Sequence, residues 1–440
     1  MPISGLAMTI KIALRNLLQH TRRTLFLGGA LAAVTALLVL LGGLSAGVRH
    51  TMLHTATTLS TGHINVGGFF KVSAGQSGPF VTRYEDVMKQ LKTMIPEMRF
   101  AVPRGRGWAK VVSDKGSMQA GINGIDVLTE PEFKKVLDIR SGNLEDLAQP
   151  GTILLFEKQL EKLDVKVGDA ITISAQTARG TSNTVDVRVV AIARDIGLMS
   201  QWNVFVPMAT LRSLYQLRSD TTGAIHIHLD ENKLGQVNVL AARLRKSLTD
   251  AGYRVMEPNP QAFWMKFQSV NREDWTGQKL DVTTWEDELS FMTWTLAALQ
   301  GLSTVLLIIL IAILVAGIMN TMWIAIRERT REIGTLRAIG MQRGGVARMF
   351  LVESLVLGVI GTTIGALFGA LIAAGINSLH IAVPISVQLF LMSDHLSILV
   401  LPSALVSAVI TLSIVTALAA LYPSIRAARL RPIEAMAHFG

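Results

Sequence analysis

His226 and His228 alternate along an apolar run, Ala224 to Leu229, so they share one face of a strand. Two imidazoles so placed could ligate a metal ion. Structural and catalytic zinc sites need three or four protein ligands, however, and no third stands near them in sequence. An ordinary strand face is the expectation, and so no metal site. His50 and His54, at helical spacing, are read the same way. Serine, histidine and aspartate all occur, but no nucleophile elbow is read among them and no catalytic residue is expected. The G-x-x-x-x-G-K-[ST] phosphate loop is missing, so the chain is not expected to bind and hydrolyse ATP by itself. With no cysteine, disulfides and thiolate metal sites are excluded.

The residues with the strongest pattern are arginines. Arg327 to Arg348 carries Arg327, Arg329, Arg331, Arg337, Arg343 and Arg348 against Glu328 and Glu332. Glu328 is placed to meet Arg331 and Glu332 at helical spacing. The same segment presents Ile333, Gly334, Leu336, Ile339 and Gly340, an apolar complement that a purely topological signal does not need. A short helix with a mixed face suits docking in the groove of a soluble partner. On both sides lie long apolar runs. No charge occurs between Thr295 and Trp323, and about 20 apolar residues suffice to cross a bilayer core as a helix. Arginines at the ends of membrane helices mark the cytoplasmic side. The segment therefore reads as an elbow inside the cell, joining a helix that arrives and a helix that leaves.

The rest of the chain is oriented from that elbow. Of the 440 residues 50% are hydrophobic and 17% charged, and mean hydropathy is +0.41, which suits a membrane protein with a sizeable water-exposed part. The net charge of +10 sits largely beside apolar spans, so nucleic acid is not expected as a partner. Residues 1–23 read as an amphipathic helix on the inner surface, with Lys11 and Arg15 beside Ile10, Ala13, Leu14, Leu17 and Leu18. Residues 24–48 read as the first span. Leu25 to Val48 is too long for a signal-peptide core of about 7–15 residues, so a retained anchor is expected. Residues 49–290 read as an extracytoplasmic α+β domain. Its strands include Gly62–Val66, Trp108–Val112, Ala170–Ser174, Thr184–Ala193 and Ala224–Leu229; its helices include Glu85–Met94, Met208–Gln216 and Leu234–Leu248.

Before the second span, 295–325, stand Phe263, Trp264, Phe267, Trp285 and Phe291. Such rings suit a membrane interface, and two readings stay open: an aromatic belt, or a ledge that meets an amphiphilic substrate. The elbow occupies 327–348 and the third span 349–376. There Gly361, Gly365 and Gly369, four apart, line one helix face and allow close backbone approach, within the bundle or at a dimer interface. Glu353 is expected at headgroup level or paired with an arginine. A short outer loop, 377–395, precedes the fourth span, 396–422, which Pro402 kinks or starts and Pro423 ends. The tail, 423–440, is placed in the cytoplasm with the N-terminus. The fold class is thus a four-helix membrane protein with a large α+β domain between its first and second helices.

The elbow and third span, from RERTREIGTLRAIGMQRGGVAR onward, resemble the hallmark of FtsX-like permeases, the ABC membrane subunits that include MacB, LolC and LolE. The ending LYPSIRAARLRPIEAM resembles theirs, with Pro423, Ala427, Ala428, Pro432 and Ala435 in place. LDVKVGDAITI and the GIDV at 124–127 resemble the family's outer domain, and TLSTGHINV resembles its lipoprotein-releasing branch. The resemblance implies an ABC ATPase dimer, carrying ATP and Mg, that docks on a coupling helix from about Glu328 to Gly340, with Arg327 beside it. It implies a second permease copy or paralogue, a periplasmic carrier or adaptor, membrane lipid as surroundings, and a bacterial inner-membrane location. MacB carries its ATPase in the same polypeptide. This chain has none, so a separate partner is expected to drive it, with lipoprotein or lipid as cargo. Drug or peptide efflux of the MacB type, and signalling to a cell-wall hydrolase of the FtsX type, are the alternatives.

Overall fold

A computed structural model describes residues 3–19, 21–73, 76–177, 179–384 and 395–429. In chain order the helices are α1 (Ile3–Gln19), α2 (Thr21–Leu59), α3 (Tyr84–Met94), α4 (Pro131–Val136), α5 (Glu157–Leu163), α6 (Gly197–Trp202), α7 (Met208–Tyr215), α8 (Val237–Asp250), α9 (Phe267–Arg272), α10 (Trp285–Glu288), α11 (Ser290–Glu328), α12 (Thr330–Ala338), α13 (Arg343–Ser378) and α14 (Pro402–Ala428). The strands are β1 (Ile64–Ser73), β2 (Gln76–Gly78), β3 (Val81–Thr82), β4 (Met98–Val112), β5 (Ser117–Ile125), β6 (Ile139–Gly142), β7 (Thr152–Phe156), β8 (Ala170–Gln176), β9 (Ser182–Ala193), β10 (Asn203–Pro207), β11 (Thr221–Thr222), β12 (Ala224–Leu229) and β13 (Gly277–Thr284). Two compact units result. One is helical, Met1–Arg49 with Ala297–Ala382 and His395–Gly440. The other is α+β, His50–Leu296 with Val383–Asp394.

Among the described residues, four helices are long and apolar enough to cross a membrane: Thr24–Leu59, Ala297–Glu328, Arg343–Ser378 and Pro402–Ala428. Their outward residues are large and apolar, such as Ile308, Ile313, Phe368, Leu371 and Ile410, as lipid contact requires. Inward positions carry Leu31, Ile318, Met322, Phe350 and Leu412, while α13 also buries a run of small residues. The stripe Gly361, Gly365 and Gly369 packs against α2 of the same chain. A Cβ on Gly361 would lie 3.0 Å from Leu31 Cβ, and one on Gly369 3.0 Å from Ala36 Cα; at Gly365 the Ala32 carbonyl fills the space. The choice left open by the sequence is therefore resolved in favour of packing within the bundle. Thr362 and Ser413 share a hydrogen bond of 3.2 Å between α13 and α14. Helix α1 turns Ala13 and Leu17 inward, four apart, while Lys11, Arg15 and Leu18 stay exposed.

Pro402 starts α14, as a first-turn proline can. Pro423 does not end it. The helix runs on to Ala428, with Pro423 buried inside it. A proline costs an interior helix one hydrogen bond and a ring clash. Here Ser424 Oγ donates to the Ala420 carbonyl at 2.6 Å, and Ala419, Ala420, Ala427 and Ala428 are buried in the bundle core. Tertiary packing overrides the local preference. The run Gly43-Leu44-Ser45-Ala46-Gly47, which has the spacing of a nucleophile elbow, lies inside α2 and not at a strand-to-helix turn. The loop 385–394 and the tail residues Arg431, Pro432 and Ala435 lie outside the described residues.

The α+β unit is organised by an 11-stranded sheet, ordered β13-β1-β12-β4-β5-β10-β7-β9-β6, in which β2 pairs β1. Strand β8 pairs both β4 and β9. The strands β4-β5-β10-β7-β9-β8 thus close on themselves. Their inner residues, among them Val111, Ile122, Ile153, Ile173, Val189 and Val204, form one core with Leu211, Leu214 and Tyr215 of α7. The other four-strand stretch, β13-β1-β12-β4, has two different faces. One is apolar, with Ile64, Val66, Ile225, Ile227, Leu280 and Val282 buried, and α8 packs along it. The other carries Asp281, Thr283, Asn65, Gly67, His226, Arg104 and Arg106, placed together by register.

Candidate functional site

Each unit carries a candidate site. In the helical unit it is the elbow. Helix α11 stops at Glu328, Arg329 turns, and α12 follows from Thr330. Glu328 and Arg331 therefore stand on two successive helices joined at Arg329. Gly340, at φ +109, takes a left-handed conformation that suits glycine and closes α12. Arg329 is buried and donates to Glu353 Oε2 of α13 at 3.0 Å. This is the arginine partner expected for Glu353. Arg337 Nη1 donates to the Ala428 carbonyl at 3.3 Å, at the C-terminal end of α14, where a cation complements the helix dipole.

These anchors divide the expected coupling residues into two sets. Ile333 and Gly334 are buried, and Ile333 joins a core cluster with Ile326, Val346, Phe350 and Ala427. Leu336 and Arg337 are half-buried. Arg327, Glu328, Arg331, Glu332 and Gly340 are exposed. Ile339 is 80% exposed, a large apolar side chain at the tip of a charged turn. The exposed surface of the elbow thus includes Arg331, Glu332 and Ile339, while Ile333 and Arg337 hold it to the bundle.

In the α+β unit the polar sheet face is covered and buried. Arg104 forms a buried pair with Glu130 and donates to the Thr58 and Leu59 carbonyls at 3.0 and 3.1 Å. Lys266 Nζ donates to Asp281 Oδ2 at 2.7 Å, both fully enclosed. Glu288 accepts from Thr283 Oγ1 at 2.7 Å and from the Phe263 N–H at 3.2 Å. Arg106 Nη1 lies 3.5 Å from Glu288 Oε1, and its guanidinium stacks 4.0 Å from the Phe263 ring. Gly67 has no side chain because that guanidinium occupies the place of its Cβ.

Between this face and its cover lies a cavity of about 350 Å³. Its floor is Asn65, Arg106, Asn123 and His226, and its rim is Trp108, Trp202, Trp264 and Phe263. Burial, then the nearby Arg104 charge, holds His226 well below the usual imidazole range, so it is neutral. His228 stacks on Phe100 at 4.5 Å and is pushed by burial to about 3. Neither histidine belongs to a group of three or more potential metal ligands among the described residues.

The aromatic residues singled out from sequence are separated by the fold. Phe263 and Trp264 line the cavity. Phe267 packs edge-on against Phe69 at 5.3 Å in a satellite core with Val270 and Trp275. Trp285 is buried at the start of α10. The side chain of Phe291 lies outside the described residues. Trp108, Trp202, Asn65 and Arg106 were not singled out. The one local signal was the strand pattern Arg104-Gly105-Arg106-Gly107-Trp108, in which charge and glycine alternate.

Residues 304–432 match a family described as FtsX-like permease C-terminal, and residues 27–244 one described as MacB-like periplasmic core domain. MacB of Nitrobacter winogradskyi, a macrolide export ATP-binding/permease protein, is 40% identical over 121 residues, 28% of this chain and 17% of that protein. The matches to MacB relatives span 16% to 20% of their length. LolE of Haemophilus influenzae, a lipoprotein-releasing system transmembrane protein, is 20% identical over 370 residues, 81% of this chain and 82% of that one. The periplasmic region of MacB from Actinobacillus actinomycetemcomitans is similar at 16% identity and a TM-score of 0.29, over 43% of this chain and 85% of that structure. A MacB-like core followed by an FtsX-like C-terminal region, both on one chain, makes this protein a member of the FtsX-like permease superfamily that includes MacB, LolC and LolE.

Proposed function

We propose that this chain is the permease subunit of an ABC transporter in a bacterial inner membrane, driven by a separate ATPase dimer that binds ATP and Mg. The elbow lies in the cytoplasm with both termini, and the α+β unit lies outside. The observation that carries this reading is the elbow itself. It presents Arg331, Glu332 and an 80% exposed Ile339, while Arg329–Glu353 and Arg337–Ala428 tie it to two spanning helices. A partner that moves α12 therefore moves α13 and α14. Helices α2 and α11, each 39 residues, are about 58 Å long at 1.5 Å per residue. That is nearly twice the hydrocarbon thickness of about 30 Å, and rods of this length suit the relay of movement across a bilayer. Two permease chains act together, and cargo is handled at the outer face. The similarity to LolE over most of both chains supports lipoprotein or lipid as that cargo. The MacB relatives support a second reading, export of a small molecule from the outer face.

The absence of cysteine gives a direct test. A photocrosslinking amino acid at Ile339 is expected to capture an ATPase subunit in cells. Single cysteines at Ile339 and Trp202 are expected to react with impermeant maleimide from opposite sides. Reaction of both from one side, or crosslinks from Ile339 to lipid alone, would overturn the proposal.

A further inference from the structure

The cavity in the α+β unit has an excess of hydrogen-bond donors. Asn65 and Arg106 are 1% and 7% exposed, and Asn65 Nδ2, Arg106 Nε and Arg106 Nη2 have no hydrogen-bond partner among the described residues. Buried donors are nearly always satisfied, so three in one cavity call for an explanation. The orientation of Asn65 is fixed, because its Oδ1 accepts the Gly62 N–H at 2.7 Å and the amide nitrogen must face the other way. The carboxylates nearby are engaged: Asp281 by Lys266, and Glu288 by Thr283 and the Phe263 N–H. Glu288 meets Arg106 only at 3.5 Å. His226 is neutral, and Arg104 is paired with Glu130. The rim is of the opposite character. Trp108, Trp202 and Trp264 are 42%, 58% and 40% exposed, wide apolar faces at the mouth of a polar floor.

We propose that this cavity binds an anionic amphiphile. Its carboxylate or phosphate head is received by Arg106 Nε and Nη2 and by Asn65 Nδ2, and its hydrocarbon lies against Trp108 and Trp264. A guanidinium edge presents two parallel N–H groups that match two oxygens of either head. Burial lowers the pKa of Arg106, and the charges of Glu288 and Asp281 oppose that effect; a bound anion would oppose it too. Exclusion of water strengthens the contact, and tryptophan supplies large contact area with a polar edge. The proposal names a ligand class for the cargo-handling unit and rests on the permease reading only for its physiological meaning.

The full chain, delipidated and held in a non-ionic amphipol, is titrated with three dansyl probes that share one undecyl chain and end in carboxylate, phosphate or alcohol. Energy transfer from tryptophan reports binding. Both acids are expected to bind about ten- to a hundredfold more tightly than the alcohol, the effect of hydrogen bonds to a charged group. The tighter of the two acids identifies the head. Trp108→Ala should weaken all three probes, because it removes only tail contact. The charge-balanced pair Arg106→Gln with Glu288→Gln, and separately the isosteric Asn65→Asp, should abolish the preference for acids. Equal binding of alcohol and acids by the wild type would overturn the proposal, as would no saturable binding, which leaves the cavity to water alone. A preference kept by the Asn65→Asp protein would do the same. Neither ATP nor an ATPase is present, so failure here and failure of the Ile339 crosslink are separate results.

Discussion

Removal of the Glu353 carboxylate should loosen the elbow and destabilise the helical unit. Glu353 and Arg329 have 4% and 5% of their side chains exposed and meet at 3.0 Å. Arg329 has little reserve, since its Nε has no partner among the described residues. Glu353→Leu therefore leaves a buried guanidinium with its countercharge gone. Two unit charges about 4 Å apart attract by about 4 kcal/mol at an effective dielectric of 20. Loss of one member of a buried pair costs about 3–5 kcal/mol, while replacement of both by apolar residues is often neutral. The double variant Arg329→Met with Glu353→Leu should recover most of the loss. The readout is melting in mild detergent, reported by a thiol-reactive dye at Ala420→Cys, a buried site in a chain with no other cysteine. On a scale of roughly 2–4 °C per kcal/mol for a unit of 150–250 residues, the single variant should melt at least about 6 °C lower. Melting within a degree of the parent, or a double variant no better than the single, would refute the pairing argument. In cells the single variant should also give a weaker Ile339 crosslink, because the tip would no longer be held in one place.

Two further outcomes follow from packing and protonation. Gly365→Leu should destabilise the bundle by about 1–3 kcal/mol, because even a Cβ there would lie 2.7 Å from Ala32 Cα; Gly375→Ala, with open space around it, should leave the melting temperature unchanged. His63, His226 and His228 are all held below the ordinary imidazole value of about 6.5 by burial, His63 to about 4 and His228 to about 3. The unfolded chain takes up these protons first, so their contribution is full above pH 6.5 and is lost as pH falls from there toward the folded values. The loss approaches about 1.4 kcal/mol per pH unit for each histidine. Tryptophan-monitored unfolding of the α+β unit between pH 7 and 5 should show that slope, and His63→Gln with His228→Gln should reduce it to the His226 share.

The membrane architecture was legible because its signals are local. A charge-free run of sufficient length identifies a span, and arginines beside it mark an end. Those signals underestimate length: α13 begins at Arg343 and α14 reaches Ala428, since a helix continues past the apolar run wherever neighbours or caps satisfy its backbone. Pro423 was misread for a related reason, as its cost is local and the burial that offsets it comes from another helix. The glycine stripe was legible as a contact face, but its partner was not, because spacing describes one surface only. In the α+β unit β1, β4, β5, β12 and β13 bring together residues from Asn65 to Thr283. No local period reports a set drawn from more than two hundred positions.

That cavity also explains why charge misleads on a strand. Arg104 and Arg106, alternating with glycine, carry the pattern of a solvated face. In the fold the same alternation is buried on both sides. Gly105 and Gly107 admit Leu211 and Tyr215 on one side, with a Cβ on Gly105 only 2.8 Å from Leu211 Cδ1. On the other side Arg104 is fully paired, whereas two nitrogens of Arg106 have no hydrogen-bond partner among the described residues. Two arginines two residues apart on one face thus differ in kind. Arg104, bound to Glu130 and to the last carbonyls of α2, has no capacity left for a ligand and serves structure. Arg106 has donors to spare and a rim of tryptophan above it. If function resides in one of them, it is the one whose hydrogen bonds the protein has left unfilled. Arg104→Gln should therefore lower the stability of the unit, with no change in ligand preference in the protein that remains folded, while the charge-balanced change at Arg106 should leave a folded unit that no longer distinguishes an acid from an alcohol.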